Sequence, residues 1–104
     1  MNQWTPQQVA DAAGAELAVA RPVAHGPERV MIDSRQVGPG ALFIGLRGEH
    51  HDGGEFAAAA LACGAWGVLT TPRHADRLDH HGGVILTAPD PLIALQRLAT
   101  AWRR

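Results

Sequence analysis

The sequence predicts an α/β fold: a three-layer sandwich whose central, mostly parallel or mixed sheet is flanked by helices. Three observations predict it. Ala41–Leu46, Trp66–Thr70 and Val84–Thr87 are short, nearly continuous apolar runs, the pattern of strands covered on both faces. Segments with helix caps and helical apolar spacing lie between and around them, so strands and helices alternate. Finally, 104 residues at 46% apolar suffice for one modest core and not two, since a chain of this size buries roughly two-thirds of its unfolded surface.

The elements follow in order. Thr5-Pro6-Gln7-Gln8 is a helix start: Thr5 caps, Pro6 suits the first helical position and Gln8 completes a capping box. Trp4 and Val9 are spaced as a hydrophobic staple across that cap, and Gly14 ends the helix. Glu16–Ala20 reads as a short strand, followed by a loop with Pro22, Gly26 and Pro27. Arg29–Asp33 reads as the next strand, and Gly38-Pro39-Gly40 as a turn leading into Ala41–Leu46. A polar, glycine-rich loop runs from Arg47 to Gly54, then a second helix from Glu55 to Cys63, stopped by Gly64. The strands Trp66–Thr70 and Val84–Thr87 are joined by a connection containing His and Asp. Asp90-Pro91 opens the last helix, whose stripe of Leu92, Leu95, Leu98, Ala99 and Trp102 is expected to face the core. That helix reaches Arg104 with no closing strand, so the expectation is one domain, residues 1–104, of a longer protein.

Composition excludes several classes of function. The net charge is -1, so no basic footprint for nucleic acid or anionic lipid stands out. All nine cations are Arg, and without Lys there is no P-loop phosphoryl transfer, Schiff base or lysine general base. A single Cys, Cys63, excludes an internal disulfide and fits a reducing compartment. The N-terminus lacks a basic start and apolar centre, and the uncharged stretch from Phe56 to Pro72 is too Ala-rich and Gly-broken for a membrane span. The expected setting is cytoplasmic.

Four groups of residues are candidates for chemistry. Asp33-Ser34-Arg35 directly follows an apolar strand, where open α/β sheets place ligands. Ser34 offers a hydroxyl and Arg35 a planar fork for phosphate oxygens, although the same residues also fit a turn in which Asp33 and Arg35 pair. The loop Arg47-Gly48-Glu49-His50-His51-Asp52-Gly53-Gly54 leaves another strand and enters a helix, so its glycines allow an anion to approach backbone N–H groups; a plain solvated turn is the alternative. His50-His51 and His80-His81, beside Asp52 and Asp79, lack ligand spacing on a helix and are expected to be solvated rather than metal-binding. Cys63, at the end of an Ala-rich helix, reads as a small buried thiol, and Ser34 has no nucleophile-elbow setting, so no catalytic residue is expected.

The string Ile32-Asp33-Ser34-Arg35-Gln36-Val37-Gly38-Pro39-Gly40-Ala41-Leu42-Phe43-Ile44-Gly45-Leu46-Arg47-Gly48-Glu49, then Asp52-Gly53, Phe56 and Gly64-Ala65, resembles the N-terminal domain of the Mur ligases. Those are ATP-dependent amide ligases that extend the muramoyl peptide of peptidoglycan. The resemblance covers nearly the whole chain, with Ala41 standing where the family usually has Asp and Gly54 where a His commonly follows. Within the family, the short first helix closed by Gly14, Glu16-Leu17 and Gly48-Glu49 are most similar to the member that adds D-alanyl-D-alanine. The sister enzyme that adds the third residue, a diamino acid, shares the same motifs, and a stand-alone nucleotide-binding regulatory module is a further alternative.

The resemblance implies a domain that binds the UDP end of UDP-N-acetylmuramoyl peptide and has no chemistry of its own. Carried over by position, Ile32 (through its backbone), Ser34, Arg35, Gly48, Glu49, His50 and His51 contact the ligand, while Asp52 and Gly53 shape the loop. No metal or cofactor is expected here; ATP and magnesium are expected in the central domain of the full-length enzyme, with the central and C-terminal domains as partners in the same polypeptide. No nucleic acid and no membrane span are expected.

Overall fold

The computed structural model describes residues 3–46, 53–76, 78 and 82–102. It contains a mixed five-stranded sheet in the order β1-β5-β4-β3-β2, with helices on both faces.

The first helix, α1, spans Pro6–Ala13 and forms as its sequence dictates. Thr5 Oγ1 accepts from the Gln8 amide at 3.1 Å, and Gln8 Oε1 accepts from the Thr5 amide at 2.8 Å, so two of the helix's orphan donors are satisfied reciprocally. Trp4 packs on the cluster that contains Val9, and Gly14 closes the helix in the left-handed conformation at φ 66°. Strand β1 (Glu16–Val19) pairs antiparallel with β5 (Val84–Thr87) at one edge. The other strands, β2 (Arg29–Met31), β3 (Ala41–Ile44) and β4 (Gly67–Thr70), run parallel to β5.

Alternation along the strands divides the core in two. Leu42, Ile44, Leu69, Val84 and Leu86 face Val9, Ala10 and Ala13 of α1 and Ala94 and Leu98 of α4 (Pro91–Trp102). Phe43, Val68 and Ile85 face Ala57, Ala60 and Leu61 of α2 (Ala57–Ala62) and Ala75 of α3 (Pro72–Ala75). Each of β3, β4 and β5 is therefore buried along its whole length, which is why its sequence is an apolar run rather than an alternation. Gly67 is required where β4 starts, because a Cβ there would sit 2.6 Å from the Val84 carbonyl oxygen.

Four expectations need correction. β2 ends at Met31, two residues short of Asp33, because Asp33 turns the chain into a 310 turn over Ser34–Gln36. The second helix begins as a 310 turn, Gly53–Phe56, and is α-helical only over Ala57–Ala62, with no side-chain cap at Phe56. Cys63, at its C-cap, is exposed rather than buried, since the helix turns Ala57, Ala60 and Leu61 to the sheet. On α4 the buried line is Pro91, Ala94 and Leu98, while Leu92 and Trp102 are 49% and 45% exposed. Leu92 lies to the side of that line, whereas Trp102 continues it and is the last residue of α4. The short helix α3 lies in the connection between β4 and β5 that contains His and Asp, where no element was read from sequence.

Candidate functional site

Four parallel strands deliver their carboxyl ends to one side of the sheet, and in open α/β sheets the ligand crevice lies there. The exit of β2 brings Ile32, Asp33, Ser34 and Arg35 to this side. Ile32 is 56% exposed, and Ser34 is half-buried at the start of the 310 turn, which packs against α2. The turn at the β2 exit and α2, into which the 310 turn Gly53–Phe56 leads, thus pack together.

The three polar residues have different partners. Asp33 Oδ1 accepts from the Arg35 amide at 2.9 Å and from Arg35 Nε at 3.0 Å, and Oδ2 accepts from a terminal guanidinium nitrogen at 2.9 Å. These hydrogen bonds from the Arg35 side chain, and then from its amide, hold the Asp33 carboxyl below the usual aspartate range; the same pairing raises Arg35. The paired turn is therefore realised, and the donors that make a bidentate fork are spent on Asp33. No described group, by contrast, bonds the Ser34 hydroxyl. The remaining sequence candidates, Gly48, Glu49, His50, His51 and Asp52, lie outside the described residues, while Gly53 begins the 310 turn before α2.

Two features at this side were not singled out from sequence. A crevice of about 490 Å³ lies where β3, β4 and β5 end, lined by Gly45, Thr71, Arg73, His74, Asp90 and the prolines flanking Asp90. Thr71 Oγ1 and His74 Nδ1 are 2.8 Å apart, and Asp90 Oδ1 accepts from the Leu92 and Ile93 amides at the start of α4. The available signal was Thr71-Pro72, a helix start placed directly after an apolar strand. The second feature is an apolar groove of about 430 Å³ between the β2 edge and α4, lined by Val30, Ile32, Leu95, Leu98, Ala99 and Trp102. No described helix is long and apolar enough to cross a membrane.

Comparison with known proteins now bears on this arrangement. Residues 28–102 match the model of the Mur ligase family, described as its catalytic domain. The chain belongs to the Mur ligase family. Among curated Mur ligases it is 41% identical over 95 residues to the UDP-N-acetylmuramoyl-L-alanyl-D-glutamate–2,6-diaminopimelate ligase of Synechococcus sp. (strain WH7803), covering 84% of this chain and 19% of that one. It is 38% identical over 97 residues to the UDP-N-acetylmuramoyl-tripeptide–D-alanyl-D-alanine ligase of Mycobacterium leprae (strain TN), covering 88% of this chain and 17% of that protein. Of solved Mur ligases, MurF from Acinetobacter baumannii superposes with a TM-score of 0.77 at 27% identity, covering 96% of this chain and 21% of that one. The chain spans about one fifth of the length of these relatives.

Proposed function

We propose that this chain is the substrate-recognition domain of a cytoplasmic, ATP-dependent peptidoglycan-precursor ligase, holding the UDP end of a UDP-N-acetylmuramoyl peptide. The observation that carries the reading is the β2 exit: a half-buried Ser34 hydroxyl without a described partner, beside the exposed end of an edge strand and packed against the unit that follows β3. A hydroxyl so presented is a donor and acceptor for a nucleotide, and Ile32 offers backbone groups beside it. The residues from Gly48 to Asp52 complete the site in this reading, with Gly53 at its helix end.

The ligase is the one that adds D-alanyl-D-alanine. The solved MurF structures of A. baumannii support this choice, while the 41% identity to a diaminopimelate-adding enzyme favours the sister activity as the second reading. The chain carries no chemistry alone: it contains no Lys and no G-x-x-x-x-G-K-[ST] loop, so ATP and magnesium belong to a central domain outside these 104 residues. That domain and a C-terminal one are its partners in the full-length protein.

The test is Ser34→Ala in the full-length enzyme. Loss of one hydrogen bond in a binding site costs about 1–3 kcal/mol, so KM for the UDP-muramoyl substrate should rise roughly 5- to 150-fold while KM for ATP stays nearly constant. Two unchanged constants in a folded variant would place the site elsewhere.

A further inference from the structure

Among the described residues, Ile32 and Trp102 are large apolar side chains left exposed, at 56% and 45%, and they meet across one groove. Leu95, Leu98, Ala99 and Trp102 form one wall of it, spaced by the three- and four-residue steps that line a single helix face. Val30 and Ile32 form the other wall, on the strand that edges the sheet, where one side of the backbone has no neighbouring strand.

The lining also indicates what the groove receives. All six side chains are apolar, so none supplies the directed polar contacts that orient a small molecule. An apolar hollow beside an open strand edge suits a protein surface instead. A second copy of this chain and a tethered domain are the two natural occupants, and length separates them. The chain spans 19% and 17% of the two ligases with which it was compared, so a polypeptide of that size carries far more protein than these 104 residues. A tethered partner whose linker spans the gap reaches roughly millimolar effective concentration, well above that of a second copy in dilute solution.

We propose that the groove between β2 and α4 is the seat of the central domain of the same polypeptide, which lays an apolar surface across Ile32, Leu95, Ala99 and Trp102 and covers the open edge of β2. The inference rests on the reading that this chain is one domain of a longer ligase. Ile32 belongs both to the groove and to the exit of β2, so docking also braces the turn that carries Ser34.

The experiment is hydroxyl-radical footprinting of the full-length enzyme, read by mass spectrometry at Trp102, with buried Phe43 as the monitor of folding. Trp102 should lose most of the reactivity it has in the same protein unfolded in urea, whereas 45% exposure without a partner would keep about half of it. Ala99→Arg sets a charge in the apolar seat and should restore that half while Phe43 stays protected. Gln96→Arg, on the exposed side of α4, should leave Trp102 protected. Leu95→Arg repeats the test should Ala99→Arg expose Phe43. Half-reactive Trp102 in the parent would overturn the proposal, as would protection that survives both groove variants in folded protein. Protection that grows with protein concentration would assign the groove to a second copy and overturn it equally. Protected Trp102 in an enzyme without UDP-muramoyl-dependent ATP turnover would support the docking and defeat the ligase reading, whereas an active ligase with reactive Trp102 would defeat the docking alone.

Discussion

The middle of the sheet and its β2 margin are built differently. Every residue of β3, β4 and β5 is buried, with helices on both faces and a strand on both sides. β2 has a neighbour on one side only, its three residues are half-buried, and the next residue, Ile32, is 56% exposed. An edge strand keeps backbone donors and acceptors that no ladder uses, and one that stops early exposes them where the polar turn begins. Stability therefore resides in the middle, while the recognition proposed above lies at the margin, and substitutions in the two regions should separate accordingly.

The largest effect is expected in the middle. Phe43 is 1% exposed among Ala57, Ala60, Val68 and Ile85, so Phe43→Ala should cost about 3–5 kcal/mol, read as a lowered urea midpoint. That is a large part of the total stability of a domain this size. Ser34→Ala, at the margin, should stay within about 0.5 kcal/mol of the parent in the same experiment. Comparable losses at both positions would break the division between scaffold and site.

A smaller effect of opposite sign sharpens it. Thr70, at the end of β4, is fully buried, and its Oγ1 is the described buried side-chain oxygen without a hydrogen-bond partner. Thr70→Val keeps the shape and removes the unmet hydroxyl, so it should raise stability by about 1 kcal/mol. Destabilisation would mean that the hydroxyl is held, and that the middle of the sheet is less purely apolar than its burial implies.

The smallest effect belongs to the Asp33–Arg35 pair on the surface. The Asp33 pKa is depressed in the folded chain, chiefly by hydrogen bonds from Arg35, so the pair's contribution is present above the ordinary aspartate pKa and lost as pH falls through the lower folded value. Arg35→Gln should return Asp33 to the usual aspartate range in an NMR titration, and the stability difference from the parent should vanish in acid. An Asp33 titration that does not move would show that the pairing does not persist in solution. Arg35 is exposed and Asp33 partly so, and the difference should also shrink with added salt.

What the sequence disclosed follows the same division. The strands β3, β4 and β5 were legible because burial on two faces leaves a run of apolar residues with no alternation to misread. The start of α1 was legible because Thr5, Pro6 and Gln8 each satisfy a specific backbone requirement within four residues. α3 was not, since four residues among His, Asp and Arg carry no apolar period. The exposure of Leu92 and Trp102 was also hidden: helical spacing tells which residues share a face, whereas how much of that face is covered depends on what packs against it. At the site, the turn in which Asp33 and Arg35 pair, one of the two readings of Asp33-Ser34-Arg35, is the one that forms, and no described group bonds the Ser34 hydroxyl. The candidates Gly48 to Asp52 lie outside the described residues, so the β3 exit loop rests on its sequence alone.

The central claim, that the carboxyl ends of β2 and β3 hold the UDP end of the ligand, is tested most directly by amide chemical shifts of the 104-residue chain titrated with UDP. The Trp66 indole, which donates to the His25 carbonyl at 2.7 Å at the opposite end of the strands, serves as an internal reference. The account predicts saturable shifts at Ile32, Ser34, Arg35 and Gly53 while the Trp66 indole resonance stays in place. Shifts confined to the Trp66 end of the strands or to Leu95 and Trp102 in the apolar groove, with Ile32 to Arg35 unmoved, would contradict it.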